Sequence, residues 1–200
     1  GLTRNHAIID IVSCLGQDLA EGELLQLSNV SNLQFSEDVY FDVIRKKTAV
    51  LFAACTKAGA LSVGADDEKV EFARLFGEYI GLCFQIKDDI FDYFESKEIG
   101  KPTGNDMMEG KLTLPVLYAL NSTADKAAEK IALKIKNGEA SSDEIAHLIE
   151  FTKLNGGIEY ANETMFAFRE KALSLLASIP DSDVKTALAV YLDYVVEREK

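Results

Sequence analysis

The sequence predicts an all-α fold. Apolar residues recur at intervals of three and four along nearly the whole chain, a spacing that places them on one face of a helix. The alternation of apolar and polar residues that marks a half-buried strand is missing from the sequence. Residues that favour helix starts and stops divide the pattern into segments of ordinary helix length. These three observations predict helices joined mostly by short connections.

The start and stop signals give the approximate bounds of each predicted helix. Serine with nearby acidic residues marks starts at Ser36, Ser141 and Ser182, and the Asp66-Asp67 pair is a further helix start. Glycines are expected to act as left-handed C-terminal caps at Gly59, Gly64, Gly138, Gly156 and Gly157. The predicted helices span about residues 3–28, 36–63, 67–95, 112–121, 123–137, 141–154, 157–178 and 182–198.

Composition narrows the class of protein. A chain of 200 residues with 48% hydrophobic content is long enough for one buried core, so we expect a single domain over residues 1–200. A net charge of -12 argues against a nucleic-acid partner. The sequence contains no apolar run of about 18 residues, so we expect no integral membrane segment. Cys14, Cys55 and Cys83 lack metal-site spacing, and we expect them to be buried thiols of a cytoplasmic protein.

Acidic residues cluster near the end of the predicted helix over 67–95. At about 100° per residue, Gln85, Asp88 and Asp92 fall within roughly one 60° sector, with Asp89 at its flank. Like charges on one stripe repel each other unless a cation lies between them. Mg2+ prefers such oxygen ligands, taking one or two carboxylates and completing its shell with water and substrate phosphates. The segment DDIFD therefore predicts a magnesium site that binds a phosphorylated ligand.

Two lysine-containing segments could bind the same kind of ligand. The loop from Ser96 to Lys111 is the longest irregular segment predicted, and its position after the aspartates favours a ligand-closing role. Lys101 and Lys111 have no obvious nearby anion, so we expect both to await a substrate. Lys47 and Thr48 lie in an apolar helical run, where an inward cation needs an anion.

The motifs, taken in order, carry a family resemblance. FQIKDDIFD followed by GKPTGNDMMEGKLTLP resembles the second aspartate-rich region of the trans-isoprenyl diphosphate synthases, or polyprenyl synthetases. GELLQL, KTAVLF, GGIEYA and the C-terminal IPDSDVKTALAVYLDYVVEREK agree with the family in the same order. The resemblance implies an isoprenoid-synthase-like bundle of antiparallel helices and a prenyltransferase of isoprenoid biosynthesis.

The resemblance also implies roles for particular residues. Isopentenyl diphosphate and an allylic prenyl diphosphate would be the substrates, and Mg2+ the cofactor. The implied metal ligands are Asp88, Asp89, Asp92 and Asp106. The residues implied in substrate binding are Lys47, Thr48, Gln85, Lys101 and Lys111, and the first four of these are also implied in catalysis. Members of the family are expected to act as homodimers.

The resemblance covers only the C-terminal part of the family pattern. The family's first aspartate-rich motif and its paired arginines would lie upstream of Gly1. We therefore expect this chain to be a truncated or proteolytic fragment that lacks N-terminal helices and has negligible activity alone. Two alternatives remain open at this point: a terpene cyclase, and a non-catalytic partner or regulatory subunit of a heteromeric prenyl synthase.

Overall fold

The computed structural model describes residues 5–30, 35–94 and 103–199, and these residues contain helices and no strands. The predicted all-α class is confirmed. The helices are α1 (His6–Val30), α2 (Glu37–Ile44), α3 (Val50–Ser62), α4 (Asp67–Phe91), α5 (Asn105–Met108), α6 (Leu114–Thr123), α7 (Lys126–Lys136), α8 (Ser142–Leu154), α9 (Gly157–Ala177) and α10 (Asp183–Glu197).

The predicted helix starts are confirmed by their caps. Ser141 and Glu144 form a capping box at the start of α8, and the Ser182 hydroxyl accepts the Lys185 amide at α10. The Asp66 carboxylate accepts the Lys69 amide at 2.9 Å, which stabilises the first turn of α4. A capping side chain satisfies amide groups that no helical carbonyl can reach, and for this reason these boundaries were predictable from sequence.

The predicted helix over 36–63 is present from Glu37 to Ser62, but its centre is not α-helical. A π-helical turn, Arg45–Ala49, separates α2 from α3. Gly59, predicted to end a helix, lies inside α3 instead. Single π-helical turns within α-helices occur frequently at functional sites, and this one contains Lys47 and Thr48.

The end of α4 and the loop after it also differ from prediction. The helix ends at Phe91 rather than near residue 95. Part of the predicted Ser96 to Lys111 loop, including Lys101, lies outside the described residues. Within the described part, Asn105–Met108 forms the short helix α5 instead of irregular chain.

The described chain contains two compact units. Among the described residues, the first comprises 5–24, 42–85 and 165–199, and its core includes Ala49, Ile80, Leu82, Met165 and Leu192. The second comprises 25–30, 35–41, 86–94 and 103–164, and its core includes Tyr93, Leu114, Val116, Leu120 and Leu148. The expectation of a single domain stays a prediction.

Two glycines allow α4 to pack closely against α3 and the π-helical turn within the first unit. A Cβ at Gly77 would lie 2.3 Å from the Thr56 hydroxyl and 2.6 Å from the Phe52 carbonyl oxygen. A Cβ at Gly81 would lie 2.5 Å from the Cα of Ala49. No side chain can be placed at these distances without moving one of the helices.

The expected burial of the cysteines is correct for one of three. Cys83 is buried, and its thiol lies 3.4 Å from the Met165 carbonyl oxygen. Burial raises the pKa of the Cys83 thiol to about 12. Cys14 and Cys55 are exposed in this chain, which corrects the prediction. The apolar residues around them in the sequence do not all face the core.

Candidate functional site

The π-helical turn in the first unit presents a polar pair. The Thr48 hydroxyl donates a hydrogen bond to the Gln85 side-chain oxygen at 2.7 Å, and both residues are half-buried. The bond joins the turn after α2 to the C-terminal part of α4. Thr48 and Gln85 were each predicted as ligand-binding residues, and the structure brings them into contact. Their binding role stays a prediction.

Lys47 has an anionic neighbour, as expected for a cation in an apolar helical run. Its ammonium group lies 3.6 Å from a carboxylate oxygen of Glu23 on α1. The approach of α1 to the turn depends on Gly22, where a Cβ would lie 2.8 Å from the Lys47 amide nitrogen. The next lysine, Lys46, pairs with Glu21 at 2.7 Å. α1 therefore places two carboxylates against the two lysines of the turn.

A buried tyrosine holds Asp89 in the second unit. The Tyr40 hydroxyl donates a hydrogen bond to Oδ2 of Asp89 at 2.7 Å, and Asp89 is only 4% exposed. Burial, followed by the charge of Asp89, raises the pKa of Tyr40 well above its usual value. The tyrosine therefore remains a neutral donor to the carboxylate at physiological pH.

A second buried tyrosine, Tyr93, is influenced by the charges of three aspartates. Burial is the main cause that raises the pKa of Tyr93, and the charges of Asp89, Asp92 and Asp106 raise it further. Asp106 also contributes to the raised pKa of Tyr40. Residues separated by up to 17 positions in the sequence therefore concentrate negative charge in one region of this unit.

Asp92 lies just beyond the end of α4 and interacts with the start of α5. Its Oδ1 accepts the backbone amide of Asn105 at 3.0 Å, and its Oδ2 accepts the backbone amide of Asp106 at 3.1 Å. The Asp92 carbonyl accepts the Gly104 amide at 2.9 Å. Asp92 thus caps a four-residue helix and holds Asp106 in place. Its predicted role as a metal ligand stays a prediction.

Replacing Asp92 by alanine is therefore expected to loosen α5. The helix would lose both side-chain acceptors at its start, and loss of a cap costs about 1 kcal/mol. Amide hydrogen exchange at Met108 and Glu109 should become faster, while α7 stays protected. Asp125→Ala is the matched control, because Asp125 caps α7 in the same way and should affect only α7. Unchanged exchange at α5 in Asp92→Ala would contradict the capping role.

Lys111 differs from its expected state. It forms an ion pair with Glu109, and its ammonium group lies 4.0 Å from Oδ1 of Asp106. The prediction that Lys111 has no nearby anion before substrate arrives is therefore wrong. The error has a local cause: the α5 turn folds the chain back, so that residues two and five positions away come within reach.

Asp88 is half-buried on α4, in contrast to its buried neighbour Asp89. Within the described ranges, no three acidic, histidine or cysteine side chains converge as a complete metal cage. Such a cage is not what Mg2+ usually requires, since it keeps several waters and takes ligands from substrate phosphates. The oxygen-only donor chemistry of Asp88, Asp89 and Asp106 fits this ion.

Sequence reasoning missed Tyr40 and Arg198. Tyr40 reads as an ordinary core aromatic, because its partner Asp89 is 49 positions away. In the first unit, the Arg198 guanidinium lies 4.0 Å from the centre of the Phe84 ring and donates a hydrogen bond to the Phe84 carbonyl at 3.0 Å. No local pattern in the sequence indicates this contact, because Arg198 and Phe84 are 114 positions apart.

The chain belongs to the polyprenyl synthetase family, whose model matches residues 2–152. It is 36% identical over 199 residues to a short chain isoprenyl diphosphate synthase of Methanothermobacter thermautotrophicus. That match covers 99% of this chain and 60% of the relative. The chain therefore spans about three fifths of the length of this relative. None of the helices in the described ranges is long and apolar enough to cross a membrane.

Solved structures agree with the family and the fold. A geranylgeranyl pyrophosphate synthase from Bacteroides thetaiotaomicron superimposes with a TM-score of 0.94 at 70% identity, covering 97% of this chain and 64% of that one. A polyprenyl synthase from Caulobacter crescentus, complexed with calcium and isoprenyl diphosphate, gives a TM-score of 0.89 at 34% identity. This second match covers 98% of the chain and 60% of that structure. The fold implied by the sequence motifs is confirmed.

Proposed function

We propose that the protein containing this chain is a prenyltransferase that condenses isopentenyl diphosphate with an allylic prenyl diphosphate. The observation that carries the proposal is that Asp92 and Asp106, joined at the start of α5, and buried Asp89 lie in one unit of a member of the polyprenyl synthetase family. Carboxylates gathered in a poorly solvated region need compensation by cations. A metal-bound diphosphate provides that compensation and is the leaving group of this reaction.

Asp88, Asp89 and Asp106 would hold Mg2+, and Asp92 would contribute while capping α5. When bound, the ion would neutralise charge that develops on the departing diphosphate. The protein's own cations would act on the same charge, with Lys47, Lys101 and Lys111 binding diphosphate oxygens. The ion pair between Lys47 and Glu23, and those of Lys111 with Glu109 and Asp106, hold these two lysines near anions before substrate binds.

Thr48 and Gln85 would position the substrate through their shared hydrogen bond. In the reaction, the bond between the allylic carbon and the diphosphate oxygen breaks and leaves a carbocation. The alkene of isopentenyl diphosphate attacks this cation, and transfer of a proton from the resulting cation to the released diphosphate restores a double bond. The Thr48 hydroxyl donates its proton to Gln85. The lone pairs of its oxygen are therefore suited to face the carbocation and stabilise it.

We propose in addition that the complete enzyme is a homodimer and that it is located in the cytoplasm. Its buried Cys83 thiol suits a reducing compartment. Size-exclusion chromatography with light scattering on the protein expressed from its complete gene would measure the oligomeric state, and a monomer at micromolar concentration would contradict the dimer.

The 200-residue chain alone is expected to have negligible prenyltransferase activity. Family members clamp the diphosphate with two aspartate-rich motifs, and this sequence contains the second one. The test is turnover of radiolabelled isopentenyl diphosphate with an allylic diphosphate and Mg2+, compared with the protein expressed from its complete gene. Robust turnover by the chain alone would contradict the need for two motifs. No turnover by the complete protein would favour the non-catalytic subunit and overturn the proposed function.

A further inference from the structure

We infer that Tyr40 is a positioning residue that fixes the carboxylate of Asp89 for metal binding. This inference rests on the proposed function and adds a residue that does not itself touch the substrate or the metal. The contact is the hydrogen bond from the Tyr40 hydroxyl to Oδ2 of Asp89 at 2.7 Å. Both residues belong to the second unit, on α2 and α4 respectively.

The burial of the pair makes the contact strong. Tyr40 is 5% exposed and Asp89 is 4% exposed, so water can do little to replace the bond. A hydrogen bond to an ionised acceptor is shorter and stronger than one between neutral groups. A rigid aromatic ring, held in a core, therefore determines the rotamer of the carboxylate and occupies one of its two oxygens.

The other aspartates of the cluster are held differently. Asp92 uses both oxygens to accept backbone amides of α5, and Asp106 is placed by the same cap. Asp89 depends on a side chain from another helix instead. Residues that hydrogen-bond to metal ligands orient them and tune their affinity, and their loss typically weakens metal binding 10-fold to 100-fold. Tyr40 stands in this relation to Asp89.

A different interpretation is that the bond only ties α2 to α4. The molecule offers a matched comparison for this possibility. The Tyr160 hydroxyl donates a hydrogen bond at 2.8 Å to a carboxylate oxygen of Glu37, which is also on α2. Tyr160 lies on α9, and burial together with its hydrogen bond to Glu37 raises its pKa. Tyr160→Phe removes the same chemical group from a hydrogen bond that also involves α2, and it leaves Asp89 untouched.

The test measures Mn2+ affinity by electron paramagnetic resonance in the protein expressed from its complete gene, with inorganic pyrophosphate present. Tyr40→Phe should raise the dissociation constant for Mn2+ 10-fold to 100-fold, and Tyr160→Phe should leave it within twofold. Thermal midpoints without metal, measured on both variants, report the structural contribution of each bond. If the two variants lose similar thermal stability, Tyr40→Phe should still weaken Mn2+ binding more than Tyr160→Phe does.

A second variant tests whether Tyr40 acts through Asp89. Asp89→Asn keeps an oxygen that can accept the Tyr40 hydroxyl but removes the charge. We expect it to weaken Mn2+ binding, and we expect Tyr40→Phe to have little additional effect in that background, because residues acting as one unit are not additive. If Tyr40→Phe fails to fold, Asp89→Asn alone keeps the inference testable, because wild-type Mn2+ affinity in that variant would overturn it.

The outcomes separate the inference from the proposed function. Wild-type affinity for Mn2+ in Tyr40→Phe, or in Asp89→Asn, would overturn the inference and leave the prenyltransferase proposal intact. A wild-type protein that binds no Mn2+ in the presence of pyrophosphate would overturn the proposed metal chemistry and the inference together. Independent, additive effects of the two substitutions would show that Tyr40 does not act through Asp89.

Discussion

Replacing Asp88 by alanine in the complete enzyme should lower kcat by about 100-fold to 1,000-fold while the protein stays folded. This range corresponds to about 2.7–4 kcal/mol of lost transition-state stabilisation, the typical cost of deleting one preorganised charge contact. Asp88 is half-buried, and its neighbours on α4 include Asp89. Removing one of two adjacent like charges should not destabilise the protein without metal. Steady-state kinetics and thermal unfolding of the same preparation provide both quantities.

The control for this experiment is an acid of similar type outside the cluster. Glu163→Ala removes an exposed carboxylate from α9 and should change neither kcat nor thermal stability. If Asp88→Ala kept its rate and lost stability, Asp88 would be a structural acid. That result would also remove one of the three ligands from the proposed magnesium site.

Replacing Gly81 by alanine should destabilise the protein by about 1–3 kcal/mol, the usual cost of overpacking a core. The new Cβ would lie 2.5 Å from the Cα of Ala49, which is a backbone atom that cannot rotate away. Ala49 is the last residue of the π-helical turn, so this turn and α4 would have to separate, and the Thr48–Gln85 hydrogen bond joins the same two segments. Chemical denaturation should show the lost free energy of unfolding, and the KM for the diphosphate substrate should rise.

The matched control is Gly59→Ala, in the interior of α3. No atom lies within 4 Å of the Cβ position at Gly59, so the substitution meets no obstacle. Alanine is favoured over glycine in a helix by roughly 0.5–1 kcal/mol, so this variant should be more stable than wild type. Equal stability changes in the two variants would show that close packing does not govern the response at Gly81.

Much of the fold was predictable because its signals are local. The caps at Ser141, Ser182 and Asp66 act within three residues, so the sequence contains both the donor and the acceptor. The π-helical turn was not predictable in this way. Its residues, RKKTA, are compatible with an ordinary α-helix, and the neighbours of the turn are distant in sequence, as the close approach of Gly22 to Lys47 shows.

The composition of the candidate site was more predictable than its contacts. Periodicity placed Gln85, Asp88 and Asp89 on one helix, and they lie there. It also placed Asp92 on that helix, whereas the helix ends at Phe91 and Asp92 caps α5. Partners far apart in sequence, such as Tyr40 and Asp89, depend on how helices meet in space. Helical spacing in the sequence does not indicate which residues of different helices come into contact.

The π-helical turn makes the length of the segment between α2 and α3 as important as its composition. A π-helical turn accommodates about one residue more than an α-helical turn. Deleting one residue of Arg45–Ala49 would therefore allow an uninterrupted α-helix in which α2 and α3 keep their faces, because the turn that is lost contains one residue more over nearly the same rotation. The change would fall on the turn itself, where the place of Thr48 depends on the extra residue. Single-residue deletions within this turn should accordingly preserve the flanking helices and break the hydrogen bond between Thr48 and Gln85.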